Sequence, residues 1–209
     1  MVLDDFEATV NTYCMDSIKS DKDGQESKSD TDRLGPDAWI DAAYAQFQEG
    51  GVSAVRIDPL AKHLNITRGS FYWHFKDRAA LLRAVLTRWR EEETERVIAA
   101  NEAAGGDAGT RLLRLLHTCS SDDGRLEIGM RDWATQDKGA QNEIRLIDKS
   151  RIEYMTSLAE DAGVPSDVAR PRCRVAYLAW LGSYSDATAT SHQQRQANMD
   201  TLWHMVTAK

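Results

Sequence analysis

Apolar residues along this chain return every three or four positions, and nowhere do they alternate one by one. Ile40, Ala43, Tyr44 and Phe47 form one such stripe. Leu81, Leu82, Val85, Leu86 and Trp89 form another, and Phe71 and Phe75 a shorter third. A period near 3.6 puts each set on one face of an α-helix, whereas a half-buried strand needs a period of two. The pattern predicts an all-α chain.

Turn and cap residues between the stripes set the expected boundaries. The first helix opens at Pro36, where proline suits a first turn, runs to Glu49 and stops at Gly50-Gly51. Asp58-Pro59 opens a second, carrying Leu60, Ala61 and Leu64, and Asn65 ends it because asparagine tolerates the left-handed conformation. Thr67 is a natural N-cap for a third helix beginning at Arg68. A link this short between two helices is that of a helix-turn-helix. The three helices make a small domain with an expected core of Ile40, Phe47, Val55, Leu60, Leu64, Phe71 and Phe75.

Asp77 caps the next helix, which the pattern extends through Trp89 to about Ala103. Further helices are expected at Ala108 to Cys119, Arg125 to Ala134, Gly139 to Ala162, Asp167 to Ala187 and Gln193 to Val206. Ahead of all of these, residues 1–35 are polar and acidic, and from Ser17 to Gly35 they have the composition of a flexible linker. Leu3, Phe6, Val10 and Cys14 recur there at helical spacing. The expected division is an N-terminal extension at 1–35, a three-helix domain at 36–82 and a larger helical domain at 83–209.

Composition excludes several classes. No apolar run approaches the roughly 20 residues that span a bilayer, and the N-terminus is acidic where a secretory signal is basic, so a cytoplasmic protein without membrane contact is expected. Cys14, Cys119 and Cys173 are odd in number and far apart, which suits reduced thiols. His63, His74, His117, His192 and His204 include no pair at metal-ligand spacing, and the chain lacks a phosphate-binding glycine loop or a G-x-S-x-G elbow. No metal, cofactor or catalytic residue is therefore expected, and the chain reads as a binding protein rather than an enzyme. Glu91, Glu92, Glu93 and Glu95 read as a solvated face.

Charge is unevenly distributed. The net charge is −7, yet between Pro36 and Arg90 the cations Arg56, Lys62, Arg68, Lys76, Arg78, Arg83, Arg88 and Arg90 outnumber Asp37, Asp41, Glu49, Asp58 and Asp77. Charge acts over about a Debye length, so one basic end of an acidic molecule can still meet phosphate. On the third helix Arg68, Ser70, Tyr72, Trp73, His74 and Lys76 occupy the circumference that Phe71 and Phe75 leave free. Exposed aromatics beside cations suit a ligand; the plain reading is that Tyr72 and Trp73 cap a small core and the cations are solvated.

The run TRGSFYWHFKDRAALL, with DAWIDAAYAQFQEGG and VRIDPLAKHLNI before it, resembles the DNA-binding domain of TetR-family transcriptional regulators over roughly Pro36 to Val85. The rest of the chain is similar to that family only in helical content and length. The resemblance implies a dimeric regulator that binds double-stranded operator DNA and answers to a small-molecule effector, most simply a repressor. It places Thr67, Arg68, Gly69, Ser70, Tyr72, Trp73, His74 and Lys76 at DNA. Arg68 suits a bidentate contact to guanine and Gly69 a close backbone approach. The resemblance gives Tyr72, Trp73, His74 and Lys76 to phosphate, with Tyr72 also near a thymine methyl. Asp58 stands where the family often has a cation or polar group; a carboxylate there repels phosphate unless it caps a helix or accepts from a cytosine amine.

Two expectations concern the larger domain. The run RVAYLAWLG from Arg174 to Gly182 is apolar almost all round, which one monomer core cannot easily cover, and the last helix offers a matching face. TetR-like proteins pair their last two long helices across a two-fold axis, so Val175, Leu178, Leu181, Leu202, Trp203 and Val206 are expected at a homodimer interface. His117, Met130, Trp133, Tyr154, Tyr177 and Trp180 are bulky, several with polar tips, and the resemblance arranges their helices around an effector cavity. Ordinary core packing accounts for them equally. The rival function is a small-molecule-binding or enzymatic helical protein of the same fold that does not bind operator DNA.

Overall fold

The computed structural model describes residues 34–121, 123–185 and 191–208, and among these every regular element is helical. The amphipathic pattern expected around Leu3 to Cys14 lies outside the described residues. Helix α1 spans Pro36–Ala54, α2 Ile57–His63 and α3 Arg68–His74. A long rod follows, built from α4 (Arg78–Arg90), a π-helical turn (Glu91–Glu95) and α5 (Arg96–Ala103). Then come α6 (Ala108–Thr118), α7 (Arg125–Gln136), α8 (Lys138–Asp161), α9 (Ser166–Ser183) and α10 (His192–Thr207).

The expected stop at Gly50-Gly51 is a break inside α1: Gly50 lies at φ −147° and Gly51 at φ 64°, ψ −162°, with one more turn after them. Arg78 at the head of α4 closes that broken end, donating Nε–H to the Val55 carbonyl and Nη2 to that of Val52. Asn65, at φ 55°, ends α2 as expected. Its N–H bonds the Lys62 carbonyl and the Ile66 N–H that of Ala61, which satisfies the orphan carbonyls of the helix. Thr67 does stand at the N-cap of α3, though its side chain makes no capping bond. Asp77 Oδ1 accepts from the Ala80 N–H at 2.8 Å, and Asp107 and Asp137 cap α6 and α8 in the same way.

The buried face of α1 is wider than the stripe predicts. Trp39 is fully buried and stands edge-on to Phe71 at 5.2 Å, while Ile40 and Tyr44 are only half-buried. The reason is tertiary: α1 packs against α4 on one side and α7 on the other. The small-domain core therefore continues into Met130 and Trp133 of α7 and Ile144 and Ile147 of α8. A second core joins α6, the distal half of α8, α9 and α10 around Leu112, Leu158, Cys173 and Met199. Helix α8 belongs to both.

The π-helical turn is not visible in the apolar spacing, and it alters the expected solvated face. Glu91, Glu92 and Glu93 are half-buried, and Glu92 pairs with Arg96 at 2.5 Å. Helix α9 stops at Ser183, short of the expected Ala187, where Tyr184 and Ser185 turn the chain. Among the described residues no helix is long and apolar enough to cross a membrane.

Candidate nucleic-acid interface and effector region

Helix α3 is held from beneath by Phe71 and Phe75, buried and 5.6 Å apart, so its opposite side must face outward. Thr67, Arg68, Gly69, Tyr72, Trp73, His74 and Lys76 are all exposed there, and Ser70 is half-buried. Trp73 is 88% exposed. A side chain that large in water is unusual for a globular helix, and nothing in the described chain covers it. A Cβ on Gly69 would meet only Thr67 Oγ1, at 3.6 Å, so packing within the chain does not demand glycine.

Arg68 is not free. Its Nε lies 3.5 Å from Asp58 Oδ1, and its Nη2 donates to the Tyr72 hydroxyl at 3.3 Å, with the guanidinium carbon 6.0 Å from the Tyr72 ring centre. The Tyr72 hydrogen bond, followed by the Asp58 charge, raises the pKa of Arg68. The sequence leaves Asp58 open as a helix cap, an acceptor from a cytosine amine or a hindrance to phosphate. The N-cap is instead Arg56, and the Asp58 carboxylate faces Arg68 from inside the first turn of α2.

The six residues expected around an effector are not gathered at one cavity. Met130 and Trp133 fill the core shared with the head, where Trp133 stands 6.3 Å edge-on to Phe47. His117 is half-buried with Nε2 2.7 Å from Asp200 Oδ1, tying α6 to α10. The Tyr154 hydroxyl donates to Glu102 at 2.6 Å and accepts from Asn101 at 2.8 Å; burial, then the Glu102 bond, pushes its pKa up to about 12. Tyr177 and Trp180 stand together, ring centres 5.4 Å apart.

Those two border a charged network that spacing alone does not reveal. The Arg151 guanidinium lies 5.0 Å from the Trp89 ring centre and 5.7 Å from that of Trp180. It donates to Glu127 Oε2 at 2.9 Å, to Thr94 Oγ1 at 2.9 Å and to the Glu93 carbonyl in the π-helical turn at 3.1 Å. Glu127, buried, also accepts from Arg131 at 2.7 Å, and Arg131 bonds Asp148, which in turn accepts from the Tyr177 hydroxyl at 2.7 Å. Burial opposes the charge on Arg151 and Arg131, but the carboxylates prevail and both pKa values are raised. Two arginines balance two carboxylates, the condition under which such charges can be buried.

The network reaches the surface at an open notch of about 260 Å³ between α7 and the end of α9, lined by Glu127, Ile128, Arg131, Leu181 and Tyr184. Elsewhere on α9 and α10, Val175 (56% exposed), Leu178 (51%) and Met205 (56%) leave apolar side chains in water. Of the other residues expected at a partner, Leu181 and Trp203 are half-buried, and Trp203 Nε1 donates to the Gly109 carbonyl at 3.1 Å. Leu202 and Val206 turn inward to the second core, because α10 must also cover α6 and α9 of its own chain. The exposed apolar residue of that stretch is Met205.

Residues 40–85 match the family model described as bacterial regulatory proteins, tetR family. The helix-turn-helix head belongs to the tetR family. The HTH-type transcriptional regulator SrpR of Pseudomonas putida is 45% identical over 47 residues, 22% of each chain, so the matched stretch spans less than a quarter of that regulator's length. The likeness in fold extends much further. A transcriptional regulator of the TetR/AcrR family from Thermobifida fusca superposes with a TM-score of 0.62 at 20% identity, covering 83% of this chain and 96% of that one. AibR, in complex with isovaleryl coenzyme A and operator DNA, gives 0.59 at 15% identity, covering 82% and 97%. The described chain thus has the TetR-type architecture, while the family model matches only residues 40–85.

Proposed function

We propose that this chain is a cytoplasmic, homodimeric transcriptional repressor that reads operator DNA with α3 and is released by a small-molecule effector. The observation that carries the reading is the outward face of α3. On a tetR-type head it sets Arg68, Tyr72, Trp73, His74 and Lys76 in water, with Trp73 almost wholly exposed. Exposed aromatic and cationic groups are the groups that phosphates and base edges can use. The pairing of Asp58 with Arg68 weakens the objection that a bare carboxylate would repel DNA.

Helix α7 suits the coupling. Its Gly129 lies against Phe47 of the head, where a Cβ would come 3.1 Å from the ring, and its Glu127 and Arg131 line the notch and enter the charged network. An effector seated at the notch, apolar against Ile128 and Leu181 and polar toward Arg131, would press on the helix that carries the head. AibR, of the same fold, in complex with an acyl coenzyme A and operator DNA, supports the pairing of the two ligands. Electrophoretic shifts with genomic fragments across a salt series test the reading. Binding of selected fragments that survives excess non-specific DNA is expected, and an absence of any retained fragment favours the rival, a ligand-binding protein that does not bind operators.

A further inference from the structure

The ion pair between α2 and α3 bears on how Arg68 would choose its base. We propose that Asp58 is a positioning residue that sets the base specificity of Arg68, directing its guanidinium to guanine and away from phosphate. This rests on the DNA-reading function proposed above.

A guanidinium carries five N–H donors in one plane. Asp58 lies at Nε and the Tyr72 hydroxyl takes one hydrogen of Nη2. Nη1 has no partner among the described residues, and the second hydrogen of Nη2 remains beside it. Two coplanar donors are what the O6 and N7 acceptors of guanine require. The fork is thus held at its stem by α2 and on one flank by α3, with its free edge left for a base.

An arginine without these restraints has an easier target. Phosphate is charged, lies on every nucleotide and accepts from any orientation, so a loose cation at a reading position adds affinity without selectivity. The Asp58 carboxylate, itself exposed, makes the pair locally neutral and repels phosphate oxygens. Guanine offers acceptors without a formal charge and is penalised less. The arrangement exchanges affinity for discrimination against the wrong partner. An exposed ion pair is weak by itself, but Tyr72 supplies a second restraint four residues along the same helix, and DNA would exclude the water that screens both. Asp58 has no competing duty as a cap, since α2 is entered through Arg56.

The test is selection from randomised duplexes with the full chain, followed by titrations of selected and non-specific DNA over a salt series. The wild-type chain should prefer guanine at one position of each half-site, and R68A should remove that preference. D58A should reduce it about tenfold, raise affinity for non-specific DNA, and steepen the salt dependence by up to about 0.9 per subunit as Arg68 moves to phosphate. D58N, which keeps an oxygen acceptor near Nε but not the charge, should keep part of the preference. In an R68A background D58A should change the preference no further. Melting temperatures should be unchanged, because both side chains are exposed. Full guanine preference in D58A, or an equal loss with and without Arg68, overturns the proposal while leaving DNA reading intact. A wild-type chain without any sequence preference overturns both.

Discussion

Trp73 and Gly124 show how differently two positions of one fold respond to alanine. Trp73 touches almost nothing in its own chain, so Trp73→Ala should leave the melting temperature within a degree while weakening DNA binding severalfold for every sequence. Lys76→Ala should behave alike and flatten the salt dependence by about 0.9 for each phosphate it no longer neutralises. Equal affinity of both variants and the parent would remove α3 from the interface. Gly124 is the opposite case. It is buried at φ 68° beneath Tyr184, and a Cβ there would lie 2.1 Å from the ring. Gly124→Ala must displace Tyr184, whose hydroxyl bonds the Cys119 carbonyl at 2.9 Å, and should cost about 1–3 kcal/mol in urea unfolding. The sequence marks Gly124 only as a helix boundary, since its φ follows from the loop before α7 meeting α9.

Among the elements, the rod from α4 through α5 is where local and tertiary forces meet. Its length and its Asp77 cap follow from the apolar spacing and one carboxylate. Its π-helical turn coincides with the point where Arg151, from α8, takes the Glu93 carbonyl and the Thr94 hydroxyl. A partner distant in sequence cannot be inferred from the spacing of EEETE. Arg151→Met should destabilise the chain by about 3–5 kcal/mol, because Glu127 keeps a buried charge while losing one of its two partners. Adding Glu127→Gln should recover part of that loss, and unfolding of the single and double variants measures the difference. Simple additivity would mean that the two groups are not coupled.

For the whole molecule, the exposed Val175, Leu178 and Met205 suggest where a second copy would sit, continuous with α9 and α10. Leu178 points outward, so Leu178→Arg should leave the protomer folded and convert a dimer sedimenting at micromolar concentration into a monomer. A parent that is already monomeric would end the dimer proposal, and with it the spacing of two reading heads by one DNA turn. An effector that couples through α7 should change operator affinity by about 1–3 kcal/mol and gain the same amount itself, since the coupling is reciprocal.

Helical class, most element boundaries and the outward face of α3 were legible in the sequence because each depends on neighbours within one or two turns: a 3.6-residue period, a cap, a glycine pair, an asparagine at φ 55°. The packing of one helix on another was not. Trp39 rather than Ile40 fills the head because two helices enclose α1, and Leu202 and Val206 point inward because α10 serves its own chain before any partner. Asp58 belongs with Arg68, and Arg151 with Trp89, Glu127 and Trp180, only once the chain has folded back on itself. Periodicity reports which side of a helix is apolar, and only packing decides what that side meets.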